Sequence, residues 1–247
     1  MSWNDEQIKQ HEQAARLLVA IKNNVLVLLK KNSTITEFDV QQYIAEQFEN
    51  NNLVTDRDNA IVAFRENTGF VHYYPTVDDA KQLEPESLIM LDLWARLDEV
   101  DAPFADITWM AYYGKNPSAR ILEIFELVIK ARDASLKLIR RNLKKGQMPN
   151  GKELDDATRK VIVTASLADK FPHTTGHSLG LDSPHGKEFG LNWKSERSLL
   201  KNLGYTIEPG VYFENEFGVR SEIDFYINNE LQLIITSEVQ KELTLIF

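Results

Sequence analysis

The chain has 247 residues, 43% of them hydrophobic and 26% charged, with 28 Lys and Arg against 37 Asp and Glu for a formal charge of −9. That length and apolar fraction suit a folded domain with a continuous core and argue against disorder, while the acidic balance disfavours nucleic acid, whose phosphates need a basic face. Five His and no Cys are present, which excludes disulfide scaffolds, thiol nucleophiles and thiolate-held metals and leaves oxygen and imidazole to ligate any metal.

From Ser2 to about Lys31 the residues Ile8, Ala15, Leu18, Ile21, Val25 and Leu28 recur with the helical period and predict a long amphipathic helix. Thr36-Glu37-Phe38-Asp39 resembles a capping box, with Ile35 placed to staple onto Val40. Val40, Tyr43, Ile44 and Phe48 continue one face of a second helix, which ends at Asn50-Asn51-Asn52. Ala60 to Phe64, Gly69 to Tyr74 and Leu88 to Leu97 are short, rich in β-branched and aromatic residues, and predict strands. Asn116-Pro117 opens a third helix, with Ile121, Phe125, Val128, Leu136 and Ile139 on its buried side and Gly146 closing it. A fourth helix runs from Glu153 to about Leu167. Phe171 to Phe247 reads as strands joined by turns at Asp182-Ser183-Pro184, Glu214-Asn215-Glu216 and Asn228-Asn229. The basic stretch Lys137 to Lys145, at a helix C-terminus, reads as a solvated face. The order helices, strands, helices, strands predicts an α+β fold with two similar halves and, without a linker, a single domain over residues 1–247. No basic region followed by an apolar stretch opens the chain, and no apolar run approaches the roughly 18 residues of a membrane span, so a cytoplasmic location is expected.

The carboxylates carry the chemistry. Asp92 stands in Leu88-Ile89-Met90-Leu91-Asp92-Leu93-Trp94, where an isolated acid on a buried strand demands compensation. Asp106 stands in the returning segment Ala105 to Met110, and Glu99 lies midway between the two acids in a turn-like stretch. A regular hairpin would oppose Asp92 and Asp106 directly, Cβ atoms about 5 Å apart. Glu208 and Glu222 repeat the pattern about Asn215. In His173-Thr174-Thr175-Gly176-His177 an extended backbone puts both imidazoles on one side. Like charges this close need a cation or a shared proton, and four carboxylates with one imidazole suit two divalent ions. The alternative on spacing alone is that both pairs face water, since a single bulge breaks strand parity.

Leu91-Asp92-Leu93-Trp94-Ala95, Ala105-Asp106-Ile107-Thr108, His173 to Gly180, Thr206-Ile207-Glu208-Pro209-Gly210 and Gly218-Val219-Arg220-Ser221-Glu222 together resemble, in order, the motifs of the M24 metallopeptidases, which include methionine aminopeptidase, aminopeptidase P and prolidase. The resemblance implies the pita-bread fold, an antiparallel sheet with two similar αβ halves and helices on the outer face. It implies Asp92, Asp106, His177, Glu208 and Glu222 as ligands of two divalent ions, manganese, cobalt, zinc or iron, with Asp106 and Glu222 bridging. It further implies attack on the scissile carbonyl by a metal-bridging water, Glu208 moving the proton, and His72, His173 and His185 contacting substrate and intermediate. Arg220 is expected to pair with a ligand carboxylate. Trp94 stands where a small residue is customary and Trp109 where many members have Arg, each either packing or reshaping the pocket. The 247 residues lack the separate N-terminal domain typical of aminopeptidase P and prolidase, so the resemblance covers a catalytic domain.

The function so implied is a dinuclear aminopeptidase or dipeptidase cleaving the N-terminal bond of small peptides, Xaa-Pro peptides among them. The same fold hosts non-peptide hydrolases and lyases, and a binding module without catalysis is a third reading. The partner expected is a small peptide, with no nucleic acid and no membrane, and a homodimer is left open.

Overall fold

The computed structural model describes residues 2–56 and 59–247, with the side chains of 188 and 189 left aside. Two helices begin it. Helix α1 (Asp5–Lys31) starts at Asn4, whose side chain accepts from Gln7 N while the Gln7 side chain accepts from Asn4 N. Helix α2 (Glu37–Asn50) starts at Thr36 in the expected capping box with Asp39. Strands β1 (Leu53–Val54) and β2 (Ile61–Phe64) then pair along one edge of the long strand β3 (Ser87–Leu97), and β4 (Ala105–Tyr113) pairs along its other edge. Strand β12 (Thr244–Ile246) closes this five-stranded sheet beside β4. That last pairing is parallel, an exception to the antiparallel sheet expected.

The second half begins with helices α3 (Ala119–Leu143) and α4 (Gly151–Thr164). Helix α3 starts two residues after Pro117, because Ser118 supplies the side-chain oxygen that accepts Ile121 N. Helix α4 starts before Glu153, at an Asn150 cap that Glu153 answers as a capping box. A second five-stranded sheet follows in the order β11 (Leu233–Ile235), β10 (Ile223–Ile227), β7 (Tyr205–Ile207), β5 (Gly176–Leu179), β6 (His185–Leu191). Strands β8 (Gly210–Phe213) and β9 (Phe217–Arg220) form a separate ribbon. No described helix is long and apolar enough to cross a membrane.

Alternation along β3 and β4 sorts their side chains into two layers. Ile89, Leu91, Leu93, Ala95, Ala105 and Ile107 face α1 and α2 and pack with Leu18, Ile21, Val25 and Ile44. Leu88, Met90, Trp94 and Met110 face the other way, toward α3 and the β8–β9 ribbon, in a cluster with Phe125, Val128, Val211 and Val219. A third cluster joins Leu136, Ile139 and Leu154 of α3 and α4 to Tyr205, Ile207, Ile223 and Phe225 of the second sheet. Each fully buried Leu or Ile contributes roughly 1.5–3 kcal/mol, so the inner face of β3 is fixed by its neighbours and Asp92 is carried there with it.

One expected strand is absent. Arg65–Gly69 is a 3₁₀ turn, and Phe70 to Pro75 are irregular. The reason lies in α2: the buried Glu37 carboxylate accepts from Phe64 N at 2.5 Å, Asn67 Nδ2 at 3.0 Å, Tyr73 Oη at 2.7 Å and Lys81 N at 2.8 Å. Those bonds fold the segment around one carboxylate instead of along a sheet edge.

Candidate metal centre

Asp92 and Asp106 share the inner face of the first sheet but are not directly opposed. Asp92 pairs with Thr108 and Asp106 with Trp94, a displacement of two residues that keeps parity and sets the acids diagonally. Glu208 and Glu222 lie between two ladders of the same register, Gly210 facing Arg220 on one side and Ile207 facing Ile223 on the other. They therefore face each other, with Ser221 N donating to Pro209 O at 3.1 Å in the gap.

His177, on β5, completes the group. Its Nδ1 lies 3.0 Å from Ser178 O, so the proton sits there, and Nε2 is left as an acceptor 3.2 Å from Glu208 Oε1 and 3.8 Å from Asp106 Oδ2. Candidate ligand atoms of Asp106, His177 and Glu222 all lie within 4.8 Å of one another, and all three residues are buried. Asp92 and Glu208 line the same cleft of about 190 Å³, as do His72, His185, Trp94 and Arg220. A larger hollow of about 350 Å³ lies beyond His185, but its carboxylates, Asp101 and Asp182, are exposed, whereas the smaller cleft gathers the buried acids.

Around the carboxylates a hydrogen-bond frame fixes orientation. Arg220 donates from Nη2 to Asp92 Oδ2 and from Nε to Thr108 Oγ1 at 3.0 Å, and Thr108 donates to Glu222 Oε2 at 2.8 Å. Thr206 donates to Glu208 Oε1 at 3.0 Å. Asp106 Oδ1 and Glu222 Oε1, by contrast, are buried without a hydrogen-bond partner. Burial first, and the neighbouring carboxylates after it, push both carboxyls well above the usual range. Burial also raises Asp92, against the pull of Arg220, and raises Glu208. Burial lowers the His177 imidazole to about 4, keeping it neutral and able to ligate. Burial would likewise lower Arg220, but Asp92 and the other acids outweigh it and hold the guanidinium charged.

Two oxygens with no donor, a neutral imidazole aimed at them and a surplus of buried negative charge are what a divalent cation neutralises. The donor set fits such a group.

The remaining histidines separate. His72 and His185 line the cleft and are exposed, and the His185 ring centroid lies 4.2 Å from that of His177. His173 does not line it: its backbone precedes β5, Arg159 holds its carbonyl at 2.9 Å, and its Nε2 meets the Tyr212 hydroxyl at 2.9 Å. Tyr212 in turn lies 3.5 Å from Arg220 Nη1, so His173 reaches Asp92 through two intervening side chains. Burial lowers its imidazole to about 3. Trp94 forms part of the cleft wall, whereas Trp109, of opposite parity, packs beneath Lys22 with its Nε1 on Thr244 Oγ1 at 2.9 Å.

Sequence reasoning missed Asp224 and Tyr212. Asp224 is fully buried and accepts from Asp106 N at 2.8 Å, bracing that strand from β10. The signal was the same as for Asp92, an acid inside an apolar strand. Tyr212 had no such signal, its role depending on His173 and Arg220 arriving from elsewhere.

Metallopeptidase family M24 matches residues 9–229. A putative Xaa-Pro aminopeptidase of Mycoplasma genitalium is 27% identical over 84% of the chain and 55% of its own length. Among solved structures, dipeptidase PepE of Mycobacterium ulcerans superposes with a TM-score of 0.85 at 21% identity, covering 100% of the chain and 62% of that protein. A dipeptidase of Pyrococcus horikoshii gives 0.84 at 26%, covering 99% and 64%. The chain spans about half the length of the curated relatives it matches. The pita-bread fold is shared throughout, and with the pattern running over nearly the whole sequence the chain belongs to metallopeptidase family M24.

Proposed function

We propose that the chain is the catalytic part of a metal-dependent aminopeptidase or dipeptidase that cleaves the N-terminal bond of short peptides, Xaa-Pro peptides among them. The observation that carries this reading is the pair of buried, unpartnered oxygens of Asp106 and Glu222 beside the acceptor nitrogen of His177. Asp92, Asp106, His177, Glu208 and Glu222 are the residues that would hold two divalent ions. Divalent cations in such a cage polarise a peptide carbonyl and acidify water.

The chain's own residues supply the rest. Glu208, its carboxyl raised by burial and oriented by Thr206, is suited to accept a proton and return it to the leaving amine. His72 and His185, at the exposed side of the cleft, are placed to hydrogen-bond a substrate, and His173 acts on Asp92 through Tyr212 and Arg220. The curated relative named a putative Xaa-Pro aminopeptidase supports the proline preference, and the dipeptidase of P. horikoshii supports short substrates.

The test is reconstitution with manganese, iron, cobalt or zinc, then elemental analysis and a library of Xaa-Pro and Met-Xaa peptides. Asp106→Ala and Glu222→Ala are each expected to lose metal and turnover together. Undiminished hydrolysis in either variant refutes the reading.

A further inference from the structure

The cleft holds a carboxylate that the metal cage does not use. Asp56, in the segment between β1 and β2, lines the same cleft as Asp92, Asp106, Glu208 and Glu222. It is fixed from two directions: the Trp94 indole Nε1 donates to Oδ1 at 2.8 Å, and the Ser183 hydroxyl donates to Oδ2 at 3.1 Å. Trp94 is only 7% exposed and faces Asp106 in the β3–β4 ladder, two residues from Asp92 on the same side of the strand. Asp56 thus stands at the outer end of an indole whose inner end is rooted between the two metal-facing aspartates. Ser183 precedes Pro184 and His185, both of which also line the cleft.

Neither bond discharges Asp56, because an indole N–H and a hydroxyl are neutral donors. Two carboxylate oxygens offer about four acceptor positions, so each retains room for a further donor. Among the described residues that line the cleft, the one Lys or Arg is Arg220, which is committed to Asp92 and Thr108. At about 190 Å³ the space is small beside the roughly 300–1,000 Å³ usual for ligand pockets, and Ile61, Trp94 and Pro184 make part of its wall apolar. A carboxylate held on the wall of the same small cleft as the carboxylate cluster, with acceptor positions to spare, suits a cation brought in by a bound peptide, and the α-ammonium, one residue before the scissile carbonyl, is the cation that every unblocked short peptide carries.

We propose that Asp56, held by Trp94 and Ser183, receives the free α-ammonium of a short peptide, which selects substrates with an unblocked N-terminus. The assignment rests on the peptidase reading above and adds the residue that decides which peptides enter. A peptide continuing past this point presents an uncharged amide to Asp56 and must carry further residues against Trp94.

The experiment compares Ala-Pro and Met-Ala with their N-acetyl forms, using manganese-loaded wild type and Asp56→Asn, which keeps an acceptor for Trp94 and removes the charge. Wild type is expected to favour the free amines at least 100-fold in kcat/KM. Asp56→Asn is expected to raise KM for the cleaved free-amine peptide at least tenfold with kcat within threefold, and to leave the N-acetyl form unchanged. An unchanged KM, or acetylated peptide cleaved by wild type as efficiently as free peptide, overturns the role of Asp56 and leaves the peptidase reading standing. No turnover of either free peptide by metal-loaded wild type overturns both. If Asp56→Asn does not fold, Ser183→Ala, which removes one of the two donors that hold Asp56, takes its place: a raised KM for the free peptide with the N-acetyl form unchanged supports the assignment, and an unchanged KM overturns it.

Discussion

His11 permits a stability measurement that leaves the cleft untouched. Its ring is fully buried on α1, with Nδ1 2.9 Å from Phe104 O and Nε2 2.7 Å from Thr236 Oγ1. The carbonyl can only accept, so Nδ1 carries the proton and Nε2 receives the threonine hydroxyl. Burial lowers the imidazole to about 4, the Phe104 carbonyl opposing only in part. The unfolded chain, with an imidazole near 6.5, takes up its proton first. The neutral ring therefore supports the fold fully above about pH 6.5, and that support is lost as the pH falls toward 4. Between pH 7.5 and pH 5 the loss integrates to about 2 kcal/mol. For a chain of this length 1 kcal/mol corresponds to roughly 2–4 °C in Tm, so His11 should account for roughly 4–8 °C of the acid destabilisation. Calorimetry on wild type and His11→Asn at both pH values isolates it, because every other titrating group is common to the two proteins. Asn preserves a donor toward Phe104, and its pH-independent cost cancels in the difference. A variant whose Tm falls as far as that of wild type over this interval refutes the assignment of His11 as a buried neutral group.

Two further perturbations act on the supports of the site. Glu37→Gln keeps the size of the side chain but turns a donor toward a cluster of donors, Phe64 N, Asn67, Tyr73 and Lys81 N; urea unfolding should show a loss of about 2–4 kcal/mol, and hydrogen exchange should show the segment from 65 to 81 loosened. An exchange pattern unchanged there would deny that Glu37 organises it. Gly176→Ala places a Cβ 2.2 Å from Thr206 O, so β5 must move from β7 and carry His177 with it; the variant is expected to fold with a lowered Tm and to lose the stabilisation that added divalent metal gives wild type, whereas wild-type metal response would show that His177 is not required to ligate.

The sequence revealed most where structure is decided within a few residues. The Thr36 capping box and the apolar faces of α1 and α2 are local, and they stand as read. The two acid pairs show a finer limit. The Glu208–Glu222 midpoint at Asn215 is correct because the ribbon and the sheet around it keep one register. The Asp92–Asp106 ladder is displaced by two, because the connection after Leu97 folds about Val100 and the last pair is Ala95 with Ala105. An even displacement preserves the face, and a displacement by one would have sent one acid toward α1. His173 departs for a longer-range reason, since Arg159 of α4 holds the carbonyls of Phe171 and His173 and turns the chain before β5 begins. Glu37 and Asp56 were invisible for the same cause, their donors lying tens of residues away.

The buried acids differ in how each charge is met. Asp224, inside the apolar strand Ile223–Ile227, receives the backbone N–H of Asp106 on Oδ2 and leaves Oδ1 without a partner. Asp92 receives Arg220, and Glu37 receives four donors. Asp106 uses neither of these solutions: no described donor reaches its Oδ1, and the group beside its Oδ2 is a neutral imidazole whose acceptor nitrogen points the same way. Glu222 keeps one oxygen on Thr108 and leaves the other bare. A folded protein leaves two adjacent carboxylates so poorly served at a cost of several kcal/mol unless a charge from outside the chain completes them. Asp224 also has a bare oxygen, so what singles out Asp106 and Glu222 among the buried acids is proximity: their candidate ligand atoms lie within 4.8 Å of one another and of the acceptor nitrogen of His177, where one cation could meet all three.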